Sequence, residues 1–230
     1  MSNWDLRELE SLIEKSHGTP QLEKAAAHIR SVARKLESAG YHYQMALGAF
    51  ENVFPVQNDE LISVANTILG VGESSRKYRF ATLAHESNVI ALAHVMHSMT
   101  DVFSHVIYDS LNLSGLHEDK LNLSIVSKNL PAGELKDRVV RVLGLQQYNY
   151  LNSLVNTSKH IQLVETVYSV DMTGESKIPH GLKFKAFKYK TESHAEKYAQ
   201  DFLVDMKTLS SEYVLLGSKI NVQLRPSWKI

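Results

Sequence analysis

The chain has 230 residues, 25 basic and 25 acidic side chains, and no cysteine. Zero formal charge gives no global pull towards nucleic acid or a membrane surface, and the missing cysteines exclude disulfides and thiolate metal sites. With no run of about 18 apolar residues and no apolar signal core in Met1 to Glu14, the expectation is one soluble, cytoplasmic domain over residues 1–230, with no membrane partner.

Residues 4–16 read as a short amphipathic helix with Leu6, Leu9, Leu12 and Ile13 on one face, stopped at His17-Gly18. Thr19-Pro20 then resembles a cap followed by Pro at the first helical position. From there a seam at three-and-four spacing runs Leu22, Ala25, Ile29, Val32, Leu36, Ala39, Tyr43, Ala46, Phe50 and Val53. It predicts a long helix over about 20–54, ended by Pro55. Gly40 and Gly48 interrupt it, as they would where another backbone comes close. A shorter helix is expected over about 59–69, between Asn58 and Gly70.

The stretch 75–113 predicts a second long helix, capped by Ser74 or Ser75. After Glu86 no Lys, Arg or Glu occurs until Glu118, and Asp101 and Asp109 are the only charges between. A helix washed by solvent carries Lys and Glu outside. This one instead sets His94, His97, Asp101 and His105 along one side, opposite Val95, Met99, Val102, Phe103 and Val106. The reading is a helix buried on most sides, with one polar, ionisable seam.

Leu121, Leu123, Ile125, Val126 and Leu130 then suggest a weak helix, Glu134–Leu143 a short one, and 146–164 another. The period changes at Thr166-Val167-Tyr168-Ser169-Val170, and again over Leu182–Tyr189, where apolar residues alternate with Lys. The alternation slips near Ala186-Phe187, as at a bulge. An inserted hairpin over about 166–190 follows. Ser193-His194-Ala195-Glu196 has capping-box spacing, so a C-terminal helix is expected over about 194–216, stopped by Gly217, with a strand-like tail at Ile220–Leu224. The fold class is mainly α, a helical bundle with two long helices, a C-terminal helix and one hairpin.

Three constellations carry chemistry. His94, His97, Asp101 and His105 are candidate metal ligands; about 16 Å of helix axis separates the first from the last, so a site would need two neighbours and a second helix. Otherwise these groups hydrogen-bond across helices, as buried polar groups must. The helix from Gln146 carries Asn149, Asn152, Ser153, Asn156 and His160 on one face, with Lys159 adjoining. Lys177, His180, Lys183, Lys185, Lys188 and Lys190 lie between Glu175 and Glu192 with no acid among them, interleaved with Phe184, Phe187 and Tyr189. Such a strand pair can present cations and rings to single-stranded RNA; Lys on an exposed edge also blocks sheet-to-sheet association.

Val155-Asn156-Thr157-Ser158-Lys159-His160, late in a helical chain, resembles the motif of the HEPN superfamily, and His97-Ser98 with Asp101 on the preceding long helix resembles one branch of it. The resemblance implies a helical bundle, often dimeric, related to metal-independent ribonucleases of defence and toxin–antitoxin systems. It places Asn156 at the polar position, His160 at the His, and His97 and Asp101 as supporting residues. The motif's Arg position holds Val155, which cannot stabilise a phosphorane-like charge, and Lys159 could stand in only as a point charge. The expectation is therefore an RNA-associated or defence-linked module, catalytically weak or inactive, without a cofactor. The alternatives are a working ribonuclease using His160, Asn156 and Lys159, or a bundle binding a metal or small ligand through the histidine seam. A homodimer and a partner protein belong to the same implied setting.

Overall fold

The computed structural model describes residues 4–51, 53, 64, 67–70, 73–171, 173, 175, 177–178 and 180–225. The protein is mainly α-helical. Its elements are α1 (Leu6–His17), α2 (Thr19–Gly48), α3 (Glu73–Ser110), a 3₁₀ turn (Glu118–Lys120), α4 (Leu123–Asn129), α5 (Glu134–Gly144), α6 (Gln146–His160), strands β1 (Thr166–Val170), β2 (His180–Phe184), β3 (Phe187–Tyr189), β4 (Glu192–His194) and β5 (Lys197–Tyr198), and α7 (Ala199–Leu224). The two long helices stand where the seams place them, each a few residues shorter at its C-terminal end than expected. The helix expected over 59–69 falls largely outside the described residues.

The chain divides into two compact units. One comprises Met1–Glu37, Val95–Leu151 and Met206–Ile230; the other comprises Ser38–His94 and Asn152–Asp205.

In the first unit, α1 is capped by Asp5, whose carboxylate accepts from the Glu8 N–H at 2.9 Å, and it ends at Gly18 with φ 84°. Leu9, Ile13, Ile29, Val32, Met99, Phe103, Val106, Val139, Leu209, Tyr213 and Ile220 are fully buried or nearly so. Trp4 closes this core. Its ring stacks on Phe103 at 5.3 Å, Phe103 meets Tyr213 at 5.7 Å, and its indole N–H donates to Asn221 Oδ1 at 2.9 Å. Asn221, 2% exposed, in turn donates to the Asp5 carbonyl at 2.8 Å and to Glu8 at 2.9 Å. A salt bridge joins Arg138 of α5 to Glu212 of α7 at 2.6 Å.

In the second unit, β2 is the middle strand of an antiparallel sheet, β1-β2-β5, with Tyr168 opposite Leu182 and Lys183 opposite Tyr198. Leu182 and Phe184 point into the core, and Phe184 packs edge-on against Phe202 of α7 at 5.6 Å. A second antiparallel pair, β3-β4, turns tightly at Lys190, whose φ of 53° lies in the left-handed region.

Four local expectations change. The strand expected over Leu182–Tyr189 breaks where the alternation slips, giving β2 and β3 in separate sheets. The apparent capping box at Ser193 is part of β4, where Ser193 pairs with Lys188, and α7 starts later, at Ala199. Gly217 does not end α7, and the tail read as a strand is the C-terminal end of that helix, held because Ile220 and Asn221 are buried. A Cβ at Gly40 would meet nothing within 4 Å, so no close backbone explains that glycine, whereas at Gly217 a Cβ would overlap the Trp4 indole.

The two glycines therefore have opposite roles. Gly40→Ala is expected to stabilise the fold by about 0.5–1 kcal/mol through helix propensity. Gly217→Ala is expected to destabilise it by about 1–3 kcal/mol through overpacking, despite the same gain in propensity. Urea denaturation of the two variants checks the sign at each site.

Candidate functional site

Residues 152–160 of α6 lie in the second unit. Val155, at the position where the resembled motif carries Arg, is 1% exposed and belongs to the core. Asn156 turns back on its own helix: its amide donates to the Asn152 carbonyl at 2.8 Å and to Asn152 Oδ1 at 2.9 Å. Lys159 and His160 are exposed in the last turn, where the helix dipole favours cations. The helix thus brings Asn156, Lys159 and His160 onto successive turns but supplies no charge from position 155. His97 and Asp101, the expected supporting residues, belong to the first unit.

Two of the four hairpin lysines have carboxylate neighbours. Lys185 donates to Glu165 at 2.7 Å, which holds the ammonium pKa up and the carboxyl pKa down. Lys183 lies 3.9 Å from Glu196 and 4.5 Å over the centre of the Tyr198 ring. Lys188 and Lys190 are exposed on and beside β3; Lys190 stands 5.1 Å over the half-buried ring of Tyr189.

The histidine seam divides as well. His94 is half-buried in the second unit, while His97, Asp101 and His105 belong to the first, where Asp101 is exposed. What gathers around the seam there comes from α2. His28 Nδ1 lies 2.7 Å from the buried Asp109 carboxylate, its ring stacks on His105 at 4.7 Å, and Gln21 donates to the Asp109 carbonyl at 2.7 Å. Lys35 donates to Ser98 at 2.6 Å. Burial, then the charge of His28, lowers the His105 pKa, against the pull of nearby acids. Among the described residues, no group of three or more His, Asp or Glu converges as a metal ion would require.

A cluster not anticipated from the sequence lies in the second unit. His85 of α3, 8% exposed, places Nδ1 2.8 Å from the Ala46 carbonyl of α2. Phe50 packs 5.3 Å from His85 and 5.3 Å from Tyr168, and Tyr168 Oη lies 2.7 Å from His180 Nδ1. These residues border a cavity of about 230 Å³. The signal for half of it was available: with Val170 opposite His180, Tyr168 and His180 fall on one face of the sheet as diagonal neighbours. Phe50 carries no comparable mark, since it sits in a seam that reads as core, and no spacing ties His85 to it.

Comparison of the chain with models of protein families, with curated proteins and with solved structures returned no match.

Burial is the first cause of the lowered pKa at His85, His105 and His194. As pH falls through about 6.5, the unfolded chain takes up protons that these folded-state rings resist, so stability is lost with acid. The carboxylates with lowered pKa, Glu8 among them, contribute their own loss nearer pH 4 and lie outside this window. The melting temperature is expected to drop between about pH 7.5 and pH 5.5, and His85→Gln to flatten that slope. Parallel thermal melts across this range check it.

Proposed function

We propose that this protein is an RNA-associated, HEPN-like module that holds single-stranded RNA without cleaving it. The burial of Val155 carries this reading. Stabilising the charge that develops at a scissile phosphate needs a donor aimed at it, and losing one such donor reduces rate by about 10²–10³. An aliphatic side chain 1% exposed can neither reach solvent nor donate. Asn156 is already engaged on Asn152, which leaves Lys159 and His160 as exposed groups able to touch a phosphate but not to complete a catalytic set.

Binding falls instead to exposed cations beside a ring. Lys188 and Lys190 with Tyr189 have the composition that single-strand binders use, charge for the backbone and a π-face for a base. Lys183 and Lys185 would first have to leave Glu196 and Glu165. The metal-binding alternative has no converging ligand set to rest on among the described residues.

Labelled single-stranded RNA should bind weakly, with affinity falling about tenfold between 50 and 200 mM salt if two or three phosphates are contacted. Lys188→Ser with Lys190→Ser should remove most of this binding, and Lys183→Ser with Lys185→Ser should remove less. Equal affinity in wild type and the Lys188/Lys190 variant would overturn the assignment. Val155→Arg should fail to create cleavage and should lower the melting temperature, because it strands a charge in the core.

A further inference from the structure

The cavity between the end of α2, α3 and the sheet has a graded wall. Ala46, His85, Leu182 and Leu203 are buried at its floor, Phe50, Tyr168 and Tyr198 are half-buried on its sides, and Leu47 and Gln200 are exposed at its rim. Its volume of about 230 Å³ is below that of sites for drug-sized ligands and suits one or two fused rings. Aromatic walls prefer a flat ring, by offset or edge-on stacking.

The polar groups narrow the choice further. A carbonyl only accepts, so the 2.8 Å contact with Ala46 fixes the proton on His85 Nδ1. Burial lowers the pKa of this ring and keeps it neutral, which leaves Nε2 as a lone-pair acceptor. At the opposite side, Tyr168 and His180 engage each other at 2.7 Å, and the exposed Gln200 amide offers both a donor and an acceptor at the mouth.

We propose that this cavity binds a planar heteroaromatic ring of about purine size, which stacks among Phe50, Tyr168 and Tyr198 and donates an N–H to His85 Nε2. This site is separate from Lys188 and Lys190 and does not depend on the RNA reading.

The probes are adenine, its N6,N6,9-trimethyl derivative, adenosine monophosphate and a short oligoadenylate, read by ligand-observed NMR on the full chain. Adenine should bind with a dissociation constant of about 5 mM or tighter, and the trimethyl derivative, which has no N–H, about tenfold more weakly. Leu47→Trp, at an exposed rim position, should fill the mouth and weaken adenine by about tenfold with the melting temperature unchanged. His85→Gln tests the acceptor itself, and Leu47→Trp keeps the proposal testable should that variant fold poorly. Tighter binding of the monophosphate than of oligoadenylate supports a free small molecule as occupant, and the reverse supports a base within a strand. Lys188→Ser with Lys190→Ser should leave adenine binding unchanged, so the two sites can fail separately. Absence of adenine binding at about 5 mM, or binding indifferent to both Leu47→Trp and trimethylation, would overturn the proposal.

Discussion

The structure depends on a helix that cannot be left in water. Along α3, Ala81, Val89, Leu92, Ala93, Met96, Met99, Phe103, Val106 and Ile107 are buried, so its polar residues must find partners inside the protein. Within each unit α2 supplies several of those partners. In the first, His28 and Gln21 engage Asp109, and Lys35 engages Ser98. In the second, the Ala46 carbonyl takes His85, and His42 takes Asn88 at 2.9 Å. These contacts set the register of α3 on α2, because a one-residue shift would bury several polar groups unpaired, at about 1–3 kcal/mol each.

The same requirement reaches the histidine seam through His105, whose ring stacks on His28 beside the contact of His28 with Asp109. His and Asp at helical spacing on an otherwise apolar helix are the residues a metal site would use, and also those that an interhelical hydrogen-bond ladder uses. Sequence cannot separate the two, because neighbours such as His28 lie far back in the chain on a helix whose own pattern shows only an apolar seam. The stacking of His28 on His105 follows from that register.

How much was legible varies with the range of the interaction. The two long helices follow from three-and-four spacing, a signal that needs only one helix, and β1, β2 and β3 from alternation and β-branched residues, whereas β4 and β5 lie where a cap and a helix were expected. The break between β2 and β3 was visible as a slip at Ala186-Phe187, although the second sheet was not. Errors gather where a local signature met a distant contact. Ser193 to Glu196 has the spacing of a cap, but Ser193 and His194 pair with β3, and Gly217 looks like a terminator until Trp4 is found packed on it. Phe50, His85, Tyr168 and His180 were unreadable as a group because no spacing links Phe50 and His85 to each other or to the strand pair; only the fold brings them to one cavity.

Val155 ties the fold to the functional reading. A side chain so deeply buried is chosen for packing, and the helix face that remains outside offers Lys159 and His160 without a partner for charge at position 155. The most direct measurement is therefore cleavage itself: wild-type protein incubated in EDTA with an end-labelled single-stranded RNA, with retention and strand length read from the same sample. Retained, intact RNA is the expected result. Chelator-insensitive cleavage that disappears in His160→Ala would contradict the account and make this protein a ribonuclease.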